Sequence, residues 1–279
     1  MMSGVDLHIH TVYSDGTDTP ETLINNLRKF NIHTFAVSDH DTVDGCKAFL
    51  SLAAENMRMI CSVEFSCKTS FKKCHILGHG IDINHPAIIE AVNTGKKLRD
   101  DKLYTRLEHL KSRHGIVFSD SDIDSLKANN SVGKPHIARI LVREKYADSI
   151  NDAINKFLTF REINDKLDSQ FAIDAIIAGG GIPIWAHPLG GEGEKRLTND
   201  EFERQLSLLV NSGIQGIECY YSRYCKDEID FLKKAAAEYS LCISGGSDYH
   251  GSNKDINLGQ LSCNGTTASI TDLTVLNLL

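Results

Sequence analysis

Two histidines separated by a single residue introduce the chemistry of this chain. In DLHIHTVYSDG (6–16), His8 and His10 sit at i and i+2, a spacing that aims both imidazoles to one side of an extended strand. Asp15 follows five residues later, in a stretch that reads as a turn. The pattern then recurs, with apolar runs that carry or end in imidazoles and carboxylates. The second run ends in Asp39-His40-Asp41, the third carries Glu64 and the fourth carries His75. Further on, IPIWAH ends in His187, GIECY carries Glu218, and LCISGG leads into Ser247-Asp248-Tyr249-His250. Parallel α/β folds gather the C-terminal ends of their strands on one face, so these groups are expected to converge on one pocket. Such a crowd of titratable groups is costly unless cations share it. Imidazoles with carboxylates are the usual ligands of zinc, manganese and iron, and several carboxylates suggest more than one ion. Carboxylates that bridge two metals organise hydrolytic sites. The residues alone point to a multi-metal hydrolase. His33, His85, His109 and His114 read instead as hydrogen-bonded core or surface residues. His79 stays open, since it follows His75 by four and could reach the same rim.

Strands and helices must deliver these groups. VDLHIH (5–10) reads as a strand, and Thr19-Pro20-Glu21 opens a helix through about Phe30, with Thr19 as N-cap. HTFAVSD (33–39) reads as a second strand, followed by a helix over roughly 43–57, then strands over 58–66 and 73–81. These strands are apolar and do not alternate, as in a buried, mostly parallel sheet. From 84 to 171 the texture becomes helical, with a long pattern from Pro86 to His114 and further helices over 119–128, 135–145 and 149–159. The β/α rhythm then returns, with helices near 170–178 and 227–239 and strands over 182–187, 216–220 and 241–248. Between them Thr198 and Glu201 have the spacing of a capping box. The expected organisation is a barrel-forming part over 1–83, an all-helical insertion over 84–171, and a second barrel-forming part over 172–279.

Composition narrows the class. A chain of 279 residues with 41% hydrophobic and 24% charged residues can bury a large core. Its net charge of −7 argues against a broad duplex-DNA or anionic-membrane surface. MMSGVDLHIH lacks the pattern of a secretory signal, and polar residues interrupt every apolar run, so a cytoplasmic protein is expected. The eight cysteines form no CxxC pair and read as small hydrophobes of a reducing compartment.

The segments DLHIHT with SDG, SDHDT, SVEFS, CHILGHGID, IWAHP and GGSDYHG stand in the order found in the polymerase-and-histidinol-phosphatase (PHP) family of phosphoesterases. The resemblance spans nearly the whole chain, including the inserted GKPHIARILVREKY. It is nearest the branch of 3′,5′-nucleoside bisphosphate phosphatases and 5′–3′ exoribonucleases. It implies a distorted (β/α)7 barrel with an inserted helical lid, holding two or three divalent ions (Mn, Zn or Fe). On this resemblance His8, His10, Glu64 and Asp248 share one metal, and Glu64 bridges to a second held by His75 and His187. Asp15, His40 and His250 hold the third. Asp6, Asp39 and Asp41 then orient imidazole N–H groups, with turn formation as their alternative role. The implied reaction is hydrolysis of a nucleotide-like phosphate ester by a metal-bridging hydroxide. Asp39, His187 and His250 stand in or beside the ligand set as candidates for catalysis.

A substrate anchor is also legible. His136, Arg139 and Arg143 fall at i, i+3 and i+7 on a helix that begins near Pro135, while Ile137, Ile140 and Leu141 face elsewhere. A helix N-terminus and an arginine fork both suit phosphate oxygens. The resemblance assigns this segment to substrate phosphate, with Lys134 beside it. The expected partner is a small phosphorylated substrate, a nucleotide or the 5′ end of a short RNA. One departure is that the family's Gly-Pro loop is replaced by FLTFREINDKLDSQF. Arg161 and Arg223 are alternative phosphate contacts. Three competing readings are a histidinol-phosphate or other small-molecule phosphomonoesterase, a zinc amidohydrolase and a structural metal site. The amidohydrolase expects a strand-end lysine that is absent here, and structural sites are closed four-ligand cages.

Overall fold

The strands of this protein, seen in a computed structural model, make two sheets joined by backbone hydrogen bonds at two seams. The structure describes residues 4–52, 56–128, 132–160, 166–191, 194–265 and 270–279. The first sheet is parallel and comprises β1 (Gly4–Ile9), β2 (Ile32–Val37) and β3 (Arg58–Cys61). The second contains β4 (Glu64–Lys68), β5 (Lys73–His79), β6 (Leu167–Asp168), β7 (Ile182–Ala186), β8 (Gly216–Tyr221) and β9 (Cys242–Gly246), ordered β6-β4-β5-β7-β8-β9. At one seam His10 N donates to Tyr249 O (2.9 Å) and Asp248 N to His8 O (2.9 Å). At the other, Asp41 N donates to Glu64 O (3.0 Å) and Glu64 N to Asp39 O (3.2 Å). The result is a distorted, interrupted ring of two sheets. The close approach at the first seam needs Gly246, where a Cβ would lie 2.2 Å from His8 Cβ.

Two features depart from the expected pattern. The run 58–66 is two strands, because at Ser62 the chain changes neighbours: the Cys46 thiol donates to Ser62 O (3.2 Å), and Glu64 turns to the β2 end. β5 is antiparallel to both β4 and β7. The start of β5, and not its end, therefore lies beside the C-terminal ends of its neighbours. Among the helices, α1 (Pro20–Lys29) begins at Thr19, whose hydroxyl accepts from Thr22 N (3.3 Å). The second, α2, covers only Asp44–Leu50 of the expected 43–57. The Ser51 hydroxyl bonds back to Ala48 O (2.6 Å) and satisfies a last-turn carbonyl there; residues 53–55 lie outside the described ones.

Chain contacts separate two units, Met1–Asn93 with Lys166–Leu279, and Thr94–Asp165. Helix α3 (Pro86–His114) runs from the first into the second. The second unit also holds α4 (Asp120–Ala128), α5 (Lys134–Arg143) and α6 (Ile150–Phe157). It has an apolar core of its own, including Leu103, Leu110, Phe118, Ile137, Leu141 and Leu158. In the first unit, α7 (Ser169–Ala178), α8 (Asn199–Asn211) and α9 (Lys226–Glu238) follow the β/α rhythm. The capping box of α8 is formed by Thr198 and Glu201 as spaced in the sequence. All eight cysteines are free thiols. Among the described residues, no helix is long and apolar enough to cross a membrane.

Candidate metal centre

His8 is the fifth residue of β1 and His10 lies just past its end; both are fully buried. The chain then turns back on itself, with Ser14 N and Gly16 N both donating to Thr11 O (3.0 Å each). Asp39 underlies this turn, accepting from Thr11 N (2.8 Å), Thr11 Oγ1 (2.7 Å) and Ser14 Oγ (2.6 Å). The turn delivers Asp15, whose Oδ1 lies 3.2 Å from His250 Nε2 and 3.5 Å from His10 Nδ1, with Oδ2 3.7 Å from His40 Nε2. Asp39 was a candidate for catalysis, but both its oxygens serve the turn and it is 1% exposed. It holds the turn that carries Asp15, and Ser14 Oγ links it to His10 Nδ1 (3.4 Å).

Glu64 organises the centre. Its Oε1 faces His75 Nδ1 (3.0 Å) and His187 Nε2 (3.1 Å). Its Oε2 faces His8 Nε2 (3.2 Å), His10 Nε2 (3.1 Å) and His40 Nδ1 (3.2 Å), yet takes part in no hydrogen bond. One carboxylate thus divides five imidazoles between its two oxygens. Asp248 Oδ1 joins the Oε2 side, 3.3 Å from His10 Nε2 and 3.6 Å from His8 Nε2. Three groups of donor atoms come within 4.8 Å of one another: His8, His10, Glu64 and Asp248; His40, Glu64 and His75; and His10, Asp15, His40 and His250.

Outer partners decide which way the imidazole lone pairs point. His8 Nδ1 lies 2.8 Å from Glu218 Oε1, so this nitrogen carries the proton and Nε2 is left as an acceptor. His250 Nδ1 donates to the Asp248 carbonyl (2.8 Å), so its Nε2 lone pair meets Asp15. Lone pairs set against carboxylates repel, and His8 Nε2 lies 3.1 Å from His10 Nε2. Such a donor set fits divalent cations. Asp248 is held from behind, its Oδ2 meeting Lys254 Nζ (2.6 Å) and Tyr221 OH (3.0 Å). Asp41, His187 and Asp248 all have positive φ (48°, 28° and 58°), strain of a kind that collects at functional sites.

Without cations the cluster polarises itself. Burial opposes charge on Glu64, Asp15 and Asp248, yet neighbouring cationic groups hold all three carboxyls well below the usual range. The neighbours are His8 and His10 for Glu64, His10 for Asp15, and Lys254 for Asp248. Burial opposes protonation of His8 and His10, but the facing carboxylates outweigh it. They hold His8 well above its ordinary value and His10 at about 9. Burial wins at His40 and His75, which are lowered.

The structure thus brings His8, His10, Asp15, His40, Glu64, His75, His187, Asp248 and His250 together. Its grouping differs from the expected one in that His10 also stands beside Asp15, and His40 stands with Glu64 and His75 in a group that His187 does not join. Asp6 and Asp41 hold backbone groups. Asp6 fastens the end of β9 by accepting from Ser247 N (2.9 Å), Ser247 Oγ (2.5 Å) and Gly259 N (2.8 Å), while Asp41 accepts from Ser66 N (2.8 Å). Glu218, which faces His8 Nδ1, orients that imidazole and also accepts from His187 N (2.6 Å). Glu218 was visible as a carboxylate in an apolar strand; Lys254 carried no sequence signal. His79 lies between Ser62 Oγ (2.9 Å) and Ser244 Oγ (3.2 Å), and burial pushes it down to about 3. It belongs to the core.

In the helical unit, Lys134 opens α5 and His136 Nδ1 accepts from Gly133 N (3.1 Å). Arg139 is exposed, and Arg143 pairs with Asp122 (2.7 Å) and Glu144 (2.9 Å). Arg223 donates to Asp255 O (3.2 Å), and Arg161 lies outside the described residues.

The family described as PHP domain matches residues 6–161, more than half of the sequence. The chain belongs to the PHP domain family. Curated relatives of this PHP chain include the 5′–3′ exoribonuclease Rnm of Escherichia coli, 28% identical over 91% of this chain and 88% of that protein. The phosphoribosyl 1,2-cyclic phosphate 1,2-diphosphodiesterase of Eggerthella lenta is 26% identical over 88% of this chain and 94% of its own. The 3′,5′-nucleoside bisphosphate phosphatase of Chromobacterium violaceum is 26% identical over 89% and 88%. A crystal structure from Bifidobacterium adolescentis superposes with a TM-score of 0.76 at 24% identity, over 98% of this chain and 96% of that one, and supports the fold. The PHP chain is a metal-dependent phosphoesterase, as its six motifs indicated.

Proposed function

We propose that this PHP phosphoesterase hydrolyses a phosphate ester of a nucleotide-like substrate, a nucleoside 3′,5′-bisphosphate or a 5′-phosphorylated short RNA, in the cytoplasm. The observation that carries the reading is Glu64, whose two oxygens divide five imidazoles. In this reading two or three divalent ions, manganese, zinc or iron, are held by His8, His10, Glu64 and Asp248; by Glu64, His75 and His187; and by Asp15, His40 and His250. When bound, they supply Lewis acidity toward the phosphoryl oxygens and a nucleophilic water at neutral pH.

The chain's own residues do the rest. Glu218 fixes the His8 tautomer, while Lys254 and Tyr221 leave Asp248 Oδ1 as the oxygen facing the centre. His250 keeps Nε2 as an acceptor because Nδ1–H is committed to a carbonyl. His187 and His250 act as ligands, and Asp39 acts by holding the Asp15 turn. Lys134, His136 and Arg139 offer cationic and hydrogen-bonding groups to a substrate phosphate; Arg143 does so in competition with Asp122 and Glu144. The relatives' names support nucleotide and RNA chemistry. The test is metal analysis joined to a phosphate-release screen. It should compare nucleoside 5′-, 3′- and 3′,5′-phosphates, 5′-phosphorylated oligonucleotides, a phosphoribosyl cyclic phosphate and histidinol phosphate. Release from the nucleotide set is expected; cleavage of histidinol phosphate alone would replace the substrate assignment with the small-molecule alternative.

A further inference from the structure

A cavity of about 260 Å³ opens beside His75 and His187, within the first unit. Lys73 lines it from β5, two residues before His75, so both side chains leave the same face of the strand. His75 points inward to Glu64, and Lys73 lies one strand repeat further out, roughly 7 Å along the chain. Lys195 lines it from the segment that follows β7. The rest of the wall is firm. Trp185 is 2% exposed and stacks on Phe202, with ring centroids 5.2 Å apart and planes 14° apart. Next to Lys195, the Arg196 guanidinium donates to Glu228 Oε1 (2.9 Å), Gly190 O (2.6 Å) and Arg223 O (2.9 Å). Among the described residues that line it, the carboxylate of Glu194 is turned onto Gly191 N–H (2.9 Å).

We infer that this cavity is a subsite for a second phosphate of the substrate, about one strand repeat from the ester being cleaved and held by the Lys73 and Lys195 ammoniums. The inference rests on the proposed phosphoesterase reading and deepens it. It assigns preference for a doubly phosphorylated substrate to Lys73 and Lys195, beside the α5 anchor that the sequence suggested. Lysine suits this role as a flexible point charge beside a phosphate, here beside a wall fixed by the Trp185–Phe202 stack and the Arg196 contacts.

The test compares the metal-loaded enzyme with its Lys73→Ala/Lys195→Ala double variant on adenosine 3′,5′-bisphosphate and on the two adenosine monophosphates. The expected result is at least a tenfold loss of kcat/KM on the bisphosphate, carried by KM, with less than twofold change on the monophosphates. The Lys73→Arg/Lys195→Arg variant should recover most of the loss. An equal loss on both substrate classes, or no loss on the bisphosphate, overturns the subsite. If the wild-type enzyme cleaves none of these nucleotides, the proposed function fails on its own. Calorimetric binding of adenosine 3′,5′-bisphosphate then decides the subsite separately: tenfold weaker binding by the double alanine variant supports it, and equal binding overturns it.

Discussion

The metal centre in the first unit and the basic face of α5 in the second offer their polar groups in opposite ways. Around Glu64 the donors are buried or half-buried, come from six stretches of chain, and include His8, Asp248 and His250, which are oriented by Glu218, Lys254 and the Asp248 carbonyl. On α5, Arg139 and Arg143 are exposed and come from one helix, and Arg143 is already paired. Buried charges depend steeply on each partner, while exposed pairs exchange with water at small cost. The centre is therefore expected to fail as a unit, and the α5 face to fail by degrees.

The largest effect should come from the centre itself. Asp248→Asn and His10→Ala are each expected to lower kcat at least a thousandfold while far-ultraviolet circular dichroism stays native. Normal turnover in either variant would break the contrast at its stronger side. Glu218→Gln tests the orienting layer: metal affinity should fall about 10- to 100-fold, with the chain still folded, as read by metal titration.

pH sharpens the contrast in the metal-free protein. His10 is held at about 9 against an ordinary 6.5, and His8 and His187 are raised as well. The folded chain then binds more protons than the unfolded chain between pH 6.5 and 9. The stability these histidines contribute is complete below 6.5 and is lost as pH rises to 9. The thermal midpoint of the metal-free protein should fall across that window, and saturating manganese should flatten the fall. A midpoint that rises with pH would contradict the assigned contacts.

The smallest effects belong to α5. Arg139→Ala is expected to raise KM about tenfold with kcat little changed, in line with the loss of one charge-assisted contact. Arg143→Ala should change KM less than threefold, because Asp122 and Glu144 already engage that guanidinium. Steady-state kinetics on a 5′-phosphorylated dinucleotide checks both. A thousandfold loss at Arg139 would erase the distinction between the two regions.

This contrast also explains what could be read from the sequence. His8, His10, Glu64, His187 and Asp248 were legible because strand ends repeat a signature of apolar run and polar terminus. The helices with strong caps, at Thr19 and Thr198, were legible for the same local reason. Less legible was whatever depends on neighbours far along the chain. The reversal of β5 puts His75 at the site through the strand's beginning, and no local pattern marks strand direction. The break at Ser62 arises where the chain leaves the β2 edge and meets the Cys46 thiol. Asp6, Asp39 and Asp41 sit beside ligands in sequence, but their oxygens face backbone and hydroxyl groups. Lys254 reaches Asp248 through a turn of one 3-10 segment that the sequence did not announce.

The central claim is that DLHIHTVYSDG serves two ions, with His8 and His10 on the Glu64 side and Asp15 on another. Metal content per chain after gel filtration tests it, for the wild type and for Glu64→Gln and Asp15→Asn, each shown to be folded. The account predicts two or three ions in the wild type, one fewer in Asp15→Asn, and the loss of both Glu64-linked ions in Glu64→Gln. Full metal content in Glu64→Gln would contradict it.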